Sequence, residues 1–453
     1  MITIRLAICI LILFGNDVYA NDKLDNILVV GAGFSGLGAA RALHEKGYKV
    51  TVIEARNRIG GRVHSKSLGK DIVDMGANWI TGQGRNPIYR IAKKHKIHIV
   101  PNDEDGPSHI FDDVFKEKIM SIELDSNFFP FLSSLSKLRK SLPNNSSLKD
   151  GVDEFIRISK MDKKTAARTA WSILEWRGEM SYAGAANRIG LSDFYKDDGF
   201  YGKSFIVPEG FVQILNILAE PLDIRLQQLV NKITYGPKGV VIQTLTDRFE
   251  GDRVIVTVPL GVLKSGAIVF DPPLPKSKQN SIDRMEMGSL ETMVLQFDHK
   301  FWPDGGFCFF SEPKYPYRCF SDFADYKSKP TLTGWLAGEV RMLFNSKTNA
   351  MLIDETLKMF NKIFPKAKIS KPRVAMSRWT QDPFALGAYS FNNIESSQTD
   401  RIALAESIQN RVYFAGEATS DSMYGTTHGA IITGLREAKK IDKKANLNML
   451  YEY

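Results

Sequence analysis

The sequence predicts a chain of two parts, an α/β domain built on a parallel sheet and a second domain of α+β type. First, the apolar run NILVV at residues 26–30 leads into the glycine-rich turn GAGFSG at residues 31–36. Second, a helical pattern after this turn and a second strand, YKVTVI at residues 48–53, complete a β-α-β unit. Third, helical patterns and then further strands follow later in the chain, which indicates the second domain.

The glycine-rich turn is typical of a Rossmann-like dinucleotide-binding unit. Gly31 permits the tight turn, Gly33 lets the backbone approach a pyrophosphate, and Gly36 lets helix and strand pack closely. The free N–H groups at the start of the helix favour bound phosphate. Two further residues of the turn belong to the same predicted contact, namely Phe34 and Ser35.

An acidic residue and a second glycine pair follow the second strand. Glu54 stands where a carboxylate accepts hydrogen bonds from ribose hydroxyls, which fits NAD or FAD and disfavours NADP. Gly60, Gly61 and Arg62 then offer a second close backbone approach and a cation to an extended pyrophosphate. This combination favours FAD.

The remaining elements divide the chain. Residues 85–222 read as mainly helical, strands return near Leu226, and a last strand, NRVYFAGEAT, leads into a helix, THGAIITGLREAKKI. Nucleotide-binding pieces therefore lie at the start, middle and end. We expect a discontinuous FAD-binding domain and a substrate-binding domain, with these bounds: 26–84, 223–287 and 400–445 for the first, 85–222 and 288–399 for the second.

The N-terminus has the pattern of a secretory signal peptide at residues 1–20. A positive charge precedes the apolar run LAICILILFG, and small residues end at Ala20. The run is short for a membrane span, although an uncleaved anchor or a buried strand stays an alternative. We expect a secreted or periplasmic protein without stable membrane insertion.

Charge and cysteine content set further limits. The net charge is +9, but no nucleic-acid-binding signature occurs, so the charge is interpreted as a solvated surface. Cys308 and Cys319 flank an apparent hairpin, and a disulfide and two buried thiols remain equally open. No Cys/His cluster indicates a metal.

The stretch EARNRIGGR at residues 54–62 resembles the flavin-containing amine oxidases, and also protoporphyrinogen oxidases and carotenoid desaturases. Four more motifs, in order along the chain, narrow the resemblance to the polyamine oxidase and lysine-specific demethylase branches: DMGANWITG, VIVTVPLGVLK, SRWTQDPFALGAYS and VYFAGEATSDSMYGTTHGAIITGLREA. The resemblance implies an FAD domain of glutathione-reductase type. It adds these cofactor-binding residues to those above: Ala55, Arg56, Gly76, Ala77, Asn78, Trp79, Val230, Pro259, Gly416, Glu417, Thr426 and Thr427.

The same resemblance implies the chemistry. In the family, the α-C–H of a neutral primary or secondary amine delivers a hydride to flavin N5, and water hydrolyses the resulting imine. Tyr389 and Trp379 would be aromatic walls of the site, and Thr426, next to Gly425, replaces a second aromatic residue. Ala388 stands where monoamine oxidases bond FAD covalently, so we expect non-covalent FAD.

Thr292 stands where most members of the family have a lysine that holds a water against the flavin. Threonine cannot supply that charge, which favours a carrier protein or a quinone as the electron acceptor, with oxygen as the alternative. Glu175 and Glu179 are candidates for holding a distal ammonium group, or parts of a solvated helix end, and His428 is interpreted as a packing residue. The alternatives to an amine oxidase are a periplasmic amine dehydrogenase, a non-catalytic flavin-binding scaffold, or a desaturase-type oxidase.

Overall fold

The computed structural model describes residues 25–102, 109–120, 123, 125–196, 200–311 and 315–446, and the predicted signal peptide lies outside them. The strands in chain order are β1 Asn26–Val30, β2 Lys49–Ile53, β3 Ser65–Leu68, β4 Asp71–Asp74, β5 Trp79–Ile80, β6 Val100–Asn102, β7 His109–Asp112, β8 Glu117–Met120, β9 Ser204–Ile206, β10 Asp223–Arg225, β11 Val230–Gly236, β12 Gly239–Thr244, β13 Arg248–Gly251, β14 Arg253–Val256, β15 Val269–Asp271, β16 Glu286–Met287, β17 Leu290–Gln296, β18 Phe307–Phe310, β19 Cys319–Asp322, β20 Thr331–Ala337, β21 Arg373–Met376, β22 Ser390–Phe391 and β23 Val412–Phe414.

The helices in chain order are α1 Phe34–His44, α2 Pro87–Lys94, α3 Phe128–Ser141, α4 Leu148–Ser159, α5 Lys163–Ala170, α6 Met180–Tyr182, α7 Val212–Ala219, α8 Leu260–Lys264, α9 Lys276–Arg284, α10 Gly338–Leu343, α11 Asn349–Ile363, α12 Gln398–Ala405 and α13 Thr427–Ile441. A π-helical segment, Trp171–Glu179, joins α5 to α6. The helical stretch formed by α5, the π-helical segment and α6 begins after Asp162, whose side chain accepts from two backbone N–H groups. It ends at Ala183, whose backbone is in the left-handed region.

The first sheet is parallel throughout, in the order β10-β2-β1-β14-β23. Successive residues of β1 enter different cores. Ile27 and Val29 pack with α1 and α13, while Leu28 and Val30 pack with residues of β11 and β12. A strand buried on both faces reads as an unbroken apolar run, which is the pattern of residues 26–30. The predicted β-α-β unit is therefore present. The strand predicted near Leu226 begins only at Val230, because Gln227 has a φ of +58° and turns the chain first.

The second large sheet has seven strands in the order β21-β17-β20-β19-β18-β7-β8. Its pairs are antiparallel except for β18 with β7. Phenylalanine-rich packing against α11 fills one face of it. The α/β plus α+β class predicted from the sequence is confirmed, whereas the domain boundaries stay a prediction.

A disulfide joins Cys308 of β18 to Cys319 of β19, which are direct partners across the two strands. Both residues are buried, at 1% and 6% exposure. Of the two alternatives left open by the sequence, the structure holds the disulfide.

None of the helices in the described ranges is long and apolar enough to cross a bilayer.

Candidate active site

A cavity of about 1050 Å³ lies between the two sheets. At one end it meets Val30 and Ile53, the last residues of β1 and β2, and at the other it meets residues of β17, β19 and β20. A cleft outside the carboxyl ends of parallel strands is where open α/β sheets bind ligands. Among the described residues, no three His, Cys, Asp or Glu side chains are grouped to hold a metal ion.

The structure brings almost all predicted cofactor residues to this cavity. Gly36 is the exception, since a Cβ there would lie 1.9 Å from the carbonyl oxygen of Gly31 and the residue serves close helix packing instead. The predicted residues that line the cavity are Gly31, Gly33, Phe34, Ser35, Glu54, Ala55, Arg56, Gly61, Arg62, Gly76, Ala77, Asn78, Trp79, Val230, Pro259, Gly416, Glu417, Thr426 and Thr427.

Three glycines leave room in the cavity wall. A Cβ on Gly33 would have Gly60 O as its nearest neighbour at 3.9 Å, and one on Gly61 would have the Gly33 Cα at 4.0 Å. For Gly416 the nearest atom would be Thr257 O at 3.8 Å. The free space beside these backbones is what a pyrophosphate lying against them requires. The residues present therefore fit an extended dinucleotide.

Glu54 is held in a fixed orientation at the end of β2. Its Oε2 accepts from the Ala32 N–H at 2.8 Å and its Oε1 from the Arg56 N–H at 2.9 Å. Each carboxylate oxygen keeps acceptor capacity beyond one bond, so the group can also bind ribose hydroxyls. Only 6% of the residue is exposed.

Glu417 joins three segments at the inner end of the cavity. It accepts from Arg62 at 2.8 Å, from the Ser390 hydroxyl at 2.7 Å and from the Gly425 N–H at 2.9 Å. Burial alone would raise the pKa of Glu417, but Arg62 and the Ser390 hydroxyl lower it below its ordinary value. The carboxylate is thus charged, and both of its oxygens accept hydrogen bonds from within the protein.

Two aromatic rings of the predicted site line the cavity in fixed positions. The Tyr389 hydroxyl donates to Met180 O at 3.1 Å, and the Trp379 Nε1–H donates to Met75 O at 2.8 Å. Thr426 is the N-cap of α13, where its hydroxyl accepts from the Gly429 N–H at 2.9 Å. The hydroxyl is thus bonded to the helix, and Thr426 lines the cavity with a small side chain in place of a second aromatic ring.

Thr292 does not line the cavity, so its place among the catalytic residues stays a prediction. It is 1% exposed, and its hydroxyl has no partner within the described part of the chain. Its cross-strand neighbour Trp335 does line the cavity, as does Leu290 two residues earlier. The threonine side chain ends inside the sheet layer and is too short to reach the space that these larger residues occupy.

Glu175 and Glu179 also lie away from the cavity. Glu175 forms an ion pair with Arg318, and Glu179 accepts from the backbone N–H groups of Ala186 at 2.9 Å and Glu339 at 3.1 Å. Both carboxylates border a separate void of about 30 Å³. Neither is placed to hold a distal ammonium group of a substrate in the main cavity.

His428 lines the cavity but has the surroundings of a packing residue. Its ring meets the Phe200 ring edge-on at 5.1 Å, and the residue is 2% exposed. Burial lowers the pKa of His428 to about 4, so the imidazole is neutral at physiological pH and is a weak base.

Sequence reasoning missed the residues that line the outer half of the cavity. Trp79 was predicted, but its partner Trp335, at 5.1 Å between ring centroids, was not. Neither were the polar residues that line the far end, here called the rim: Lys300, Asp304, Asp322 and Asp325. No motif marks these positions, because the rim residues come from two separate segments, 300–304 and 322–325, that meet only in the folded chain.

The buried Glu179 predicts a pH dependence of stability. Burial raises the pKa of Glu179 to about 8, against 4.5 for the free side chain. The folded protein therefore keeps a proton that the unfolded chain loses, and stability falls as the pH rises between these two values. We expect the stability of Glu179→Gln relative to the native protein to rise by about 2 kcal/mol between pH 4.5 and pH 8.5.

Urea unfolding at both pH values, with the exposed Glu250→Gln as the control, measures this difference. An equal difference at both pH values would show that the effect does not come from the Glu179 proton.

The comparisons with known proteins agree with this geometry. A family model described as flavin containing amine oxidoreductase matches residues 34–442. A lysine-specific histone demethylase 1 homolog 1 of Oryza sativa subsp. japonica is 34% identical over 448 residues, covering 93% of this chain and 52% of the relative. A probable polyamine oxidase 4 of Arabidopsis thaliana is 29% identical, covering 93% of this chain and 88% of the relative.

A solved structure of wild-type putrescine oxidase bound to putrescine matches with a TM-score of 0.76 and 18% identity, over 92% of this chain and 99% of that one. The chain spans about half the length of the demethylase relatives that it matches. Because the family model covers most of the chain, from α1 to the end of α13, the predicted family is confirmed. The chain belongs to the flavin-containing amine oxidoreductases, with FAD as its cofactor.

Proposed function

We propose that the protein oxidises the α-carbon of a primary or secondary amine that carries a second positive charge further along its chain. The observation that carries this proposal is that three surfaces line one cavity: a cofactor cradle, a group of aromatic rings and the acidic rim. When bound, FAD supplies the acceptor for the hydride equivalent that leaves the amine, and hydrolysis of the imine completes the deamination.

The group of aromatic rings in the cavity acts on the reacting amine. Tyr389 and Trp379 border the cofactor end, while Trp79 and Trp335 continue the wall outward. These surfaces exclude water, favour the uncharged amine and orient its α-carbon. A small Thr426 in place of a second cage ring leaves room for a substituent on the nitrogen, which suits a secondary amine.

The rim supplies the charge that a second ammonium group needs. Lys300 is shared between Asp304 and Asp322, at 2.6 Å from the latter, and Asp325 is a third carboxylate. Three carboxylates against one lysine make the rim acidic although the whole chain carries +9. An acidic entrance attracts polyamines locally, where the net charge would repel them.

Anaerobic bleaching of the bound FAD by amines tests the function. We expect spermine, spermidine and 1,8-diaminooctane to bleach it at lower concentration than octylamine, which has the same alkyl length and one charge. Asp322→Asn should remove most of the difference between the diamine and the monoamine. Equal half-saturation for both would contradict the proposed role of the rim, and no bleaching by any amine would favour the scaffold alternative.

A second candidate, an amine dehydrogenase, is favoured by the surroundings of the cofactor end. Among the described residues that line the cavity, Lys300 is the only lysine, and it is paired at the rim. Position 292, where the family's lysine stands, is a threonine outside the cavity. Within the described ranges, no free ammonium group of a lining residue is therefore placed to promote oxygen reduction.

We expect the amine-reduced protein to be reoxidised slowly by air and quickly by a quinone. Thr292→Lys should accelerate the reaction with oxygen by about tenfold or more, because it restores a positive charge near the flavin. Stopped-flow mixing of the reduced protein with each acceptor measures both rates. Fast reoxidation of the native protein by air would exclude the dehydrogenase.

We also propose that the protein is exported and binds FAD non-covalently. The buried disulfide supports an oxidising compartment, and Ala388 lines the cavity where a covalent link would need a cysteine. N-terminal sequencing of the protein from the secreted or periplasmic fraction should begin after Ala20. Acid precipitation should release all the FAD into the supernatant.

A further inference from the structure

A buried carboxylate lies directly behind Trp379. Glu291, on β17, is 1% exposed and does not line the cavity. Its Oε2 accepts from the Trp379 N–H at 2.7 Å and from the Ser377 hydroxyl at 2.9 Å. Its Oε1 accepts from the Thr380 N–H at 3.1 Å and the Thr380 hydroxyl at 2.9 Å. One side chain thus fixes three residues of the segment 377–380.

The charge of this carboxylate is balanced inside the protein. Arg341, itself 1% exposed, lies 3.5 Å from Glu291 and also donates to the Thr380 hydroxyl. Burial, and next the charge of Glu291, raise the pKa of the neighbouring Tyr317. A buried ion pair brings little net stability against apolar residues of similar volume, so its retention here calls for another reason.

Trp379 is held from its other side as well. Its indole N–H donates to Met75 O, and a Cβ on Gly76 would lie 3.1 Å from the indole ring. Gly76 and Ala77 line the cofactor end of the cavity. The indole is therefore clamped between the Met75–Gly76 backbone and the segment that Glu291 anchors.

We propose that Glu291 is a positioning residue that sets the plane of the Trp379 ring against the cofactor and the reacting amine. This inference rests on the proposed amine oxidation. Both oxygens of Glu291 face backbone N–H groups, and only a carboxylate can accept on both sides. A glutamine has one oxygen and one NH2, so in either orientation its NH2 opposes the N–H of Trp379 or Thr380. The segment must then shift.

We expect Glu291→Gln to slow flavin reduction by saturating amine by about tenfold to a hundredfold, because small displacements at a reacting centre have effects of this size. The dissociation constant of the amine should change by less than about threefold, since the rim is untouched. The visible absorption bands of bound oxidised FAD should shift, which is a readout independent of turnover.

A double-mutant cycle with Trp379→Ala separates positioning from general destabilisation. If Glu291 acts through the indole, Glu291→Gln should cause little further loss in the Trp379→Ala background. The matched control is Asp112→Asn, because Asp112 is likewise a buried carboxylate that holds an arginine, Arg168, and two backbone N–H groups. It lies away from the cavity and should change the melting temperature without changing flavin reduction or the FAD spectrum.

An unchanged rate in Glu291→Gln, or an equal loss in both backgrounds, would overturn the proposal. Should that variant fail to fold, Ser377→Ala removes one bond to Glu291 and should slow reduction in the same direction, and an unchanged rate there would also contradict it. Failure of the native protein to be bleached by any amine would refute the proposed function instead. The FAD spectrum of the variants would then still decide whether Glu291 positions the ring.

Discussion

Gly33→Val should give a folded protein that no longer retains FAD. The backbone at Gly33 has a φ of −87°, which any residue adopts, and the protein leaves open space where the new side chain would stand. That space is the part of the cavity where the pyrophosphate must approach the chain. We expect the affinity for FAD to fall by about a hundredfold or more, equivalent to about 3 kcal/mol.

Titration of the apoprotein with FAD, together with circular dichroism and thermal unfolding, measures this loss. Gly236→Val is the matched control, because a Cβ there meets nothing within 4 Å and Gly236 does not line the cavity. Gly36→Val should instead prevent folding, since its Cβ would lie 1.9 Å from Gly31 O. Normal FAD affinity in Gly33→Val would show that the cofactor does not pass this turn.

Glu417→Ala should lower the free energy of unfolding by about 3–5 kcal/mol. The substitution leaves Arg62 without its partner and frees the Ser390 and Gly425 backbones that Glu417 holds. These groups come from three distant parts of the chain that meet at the cofactor, so we also expect weaker retention of FAD. Urea unfolding of the apoprotein and FAD titration give the two quantities separately.

Glu417→Gln is the control for size, because the amide keeps one acceptor and loses the charge. Its loss of stability should be about half as large. A loss below about 1 kcal/mol for Glu417→Ala would mean that water in the cavity replaces the carboxylate as the partner of Arg62.

The sequence predicted the parts of the site that local chain geometry determines. Gly31, Gly33 and Gly36 each have a role that follows from the turn itself, and the apolar run before them is typical of a strand buried on both faces. Family motifs then placed Trp379 and Tyr389 at the same cavity. These residues lie in continuous stretches where spacing and backbone conformation are visible in the order of residues.

Long-range assembly determined what the sequence could not show. Asp304 and Asp322 meet at the rim only because β18 and β19 pair, and nothing in either segment marks the meeting. Glu175 and Glu179 looked available to a substrate, but the π-helical segment directs them to Arg318 and to backbone N–H groups. Thr292 occupies the position of the family's lysine, but its shorter side chain does not line the cavity.

The rim and the cofactor cradle belong to different sheets, and the disulfide secures only the rim side. The rim carboxylates can therefore be lost or gained during evolution without weakening the binding of FAD. Because the two regions are separate, substitutions near the disulfide-linked strands β18 and β19 can change which amines are accepted while the FAD-binding residues stay the same. The same separation allows the rim to be redesigned for other amines without redesigning the FAD-binding residues.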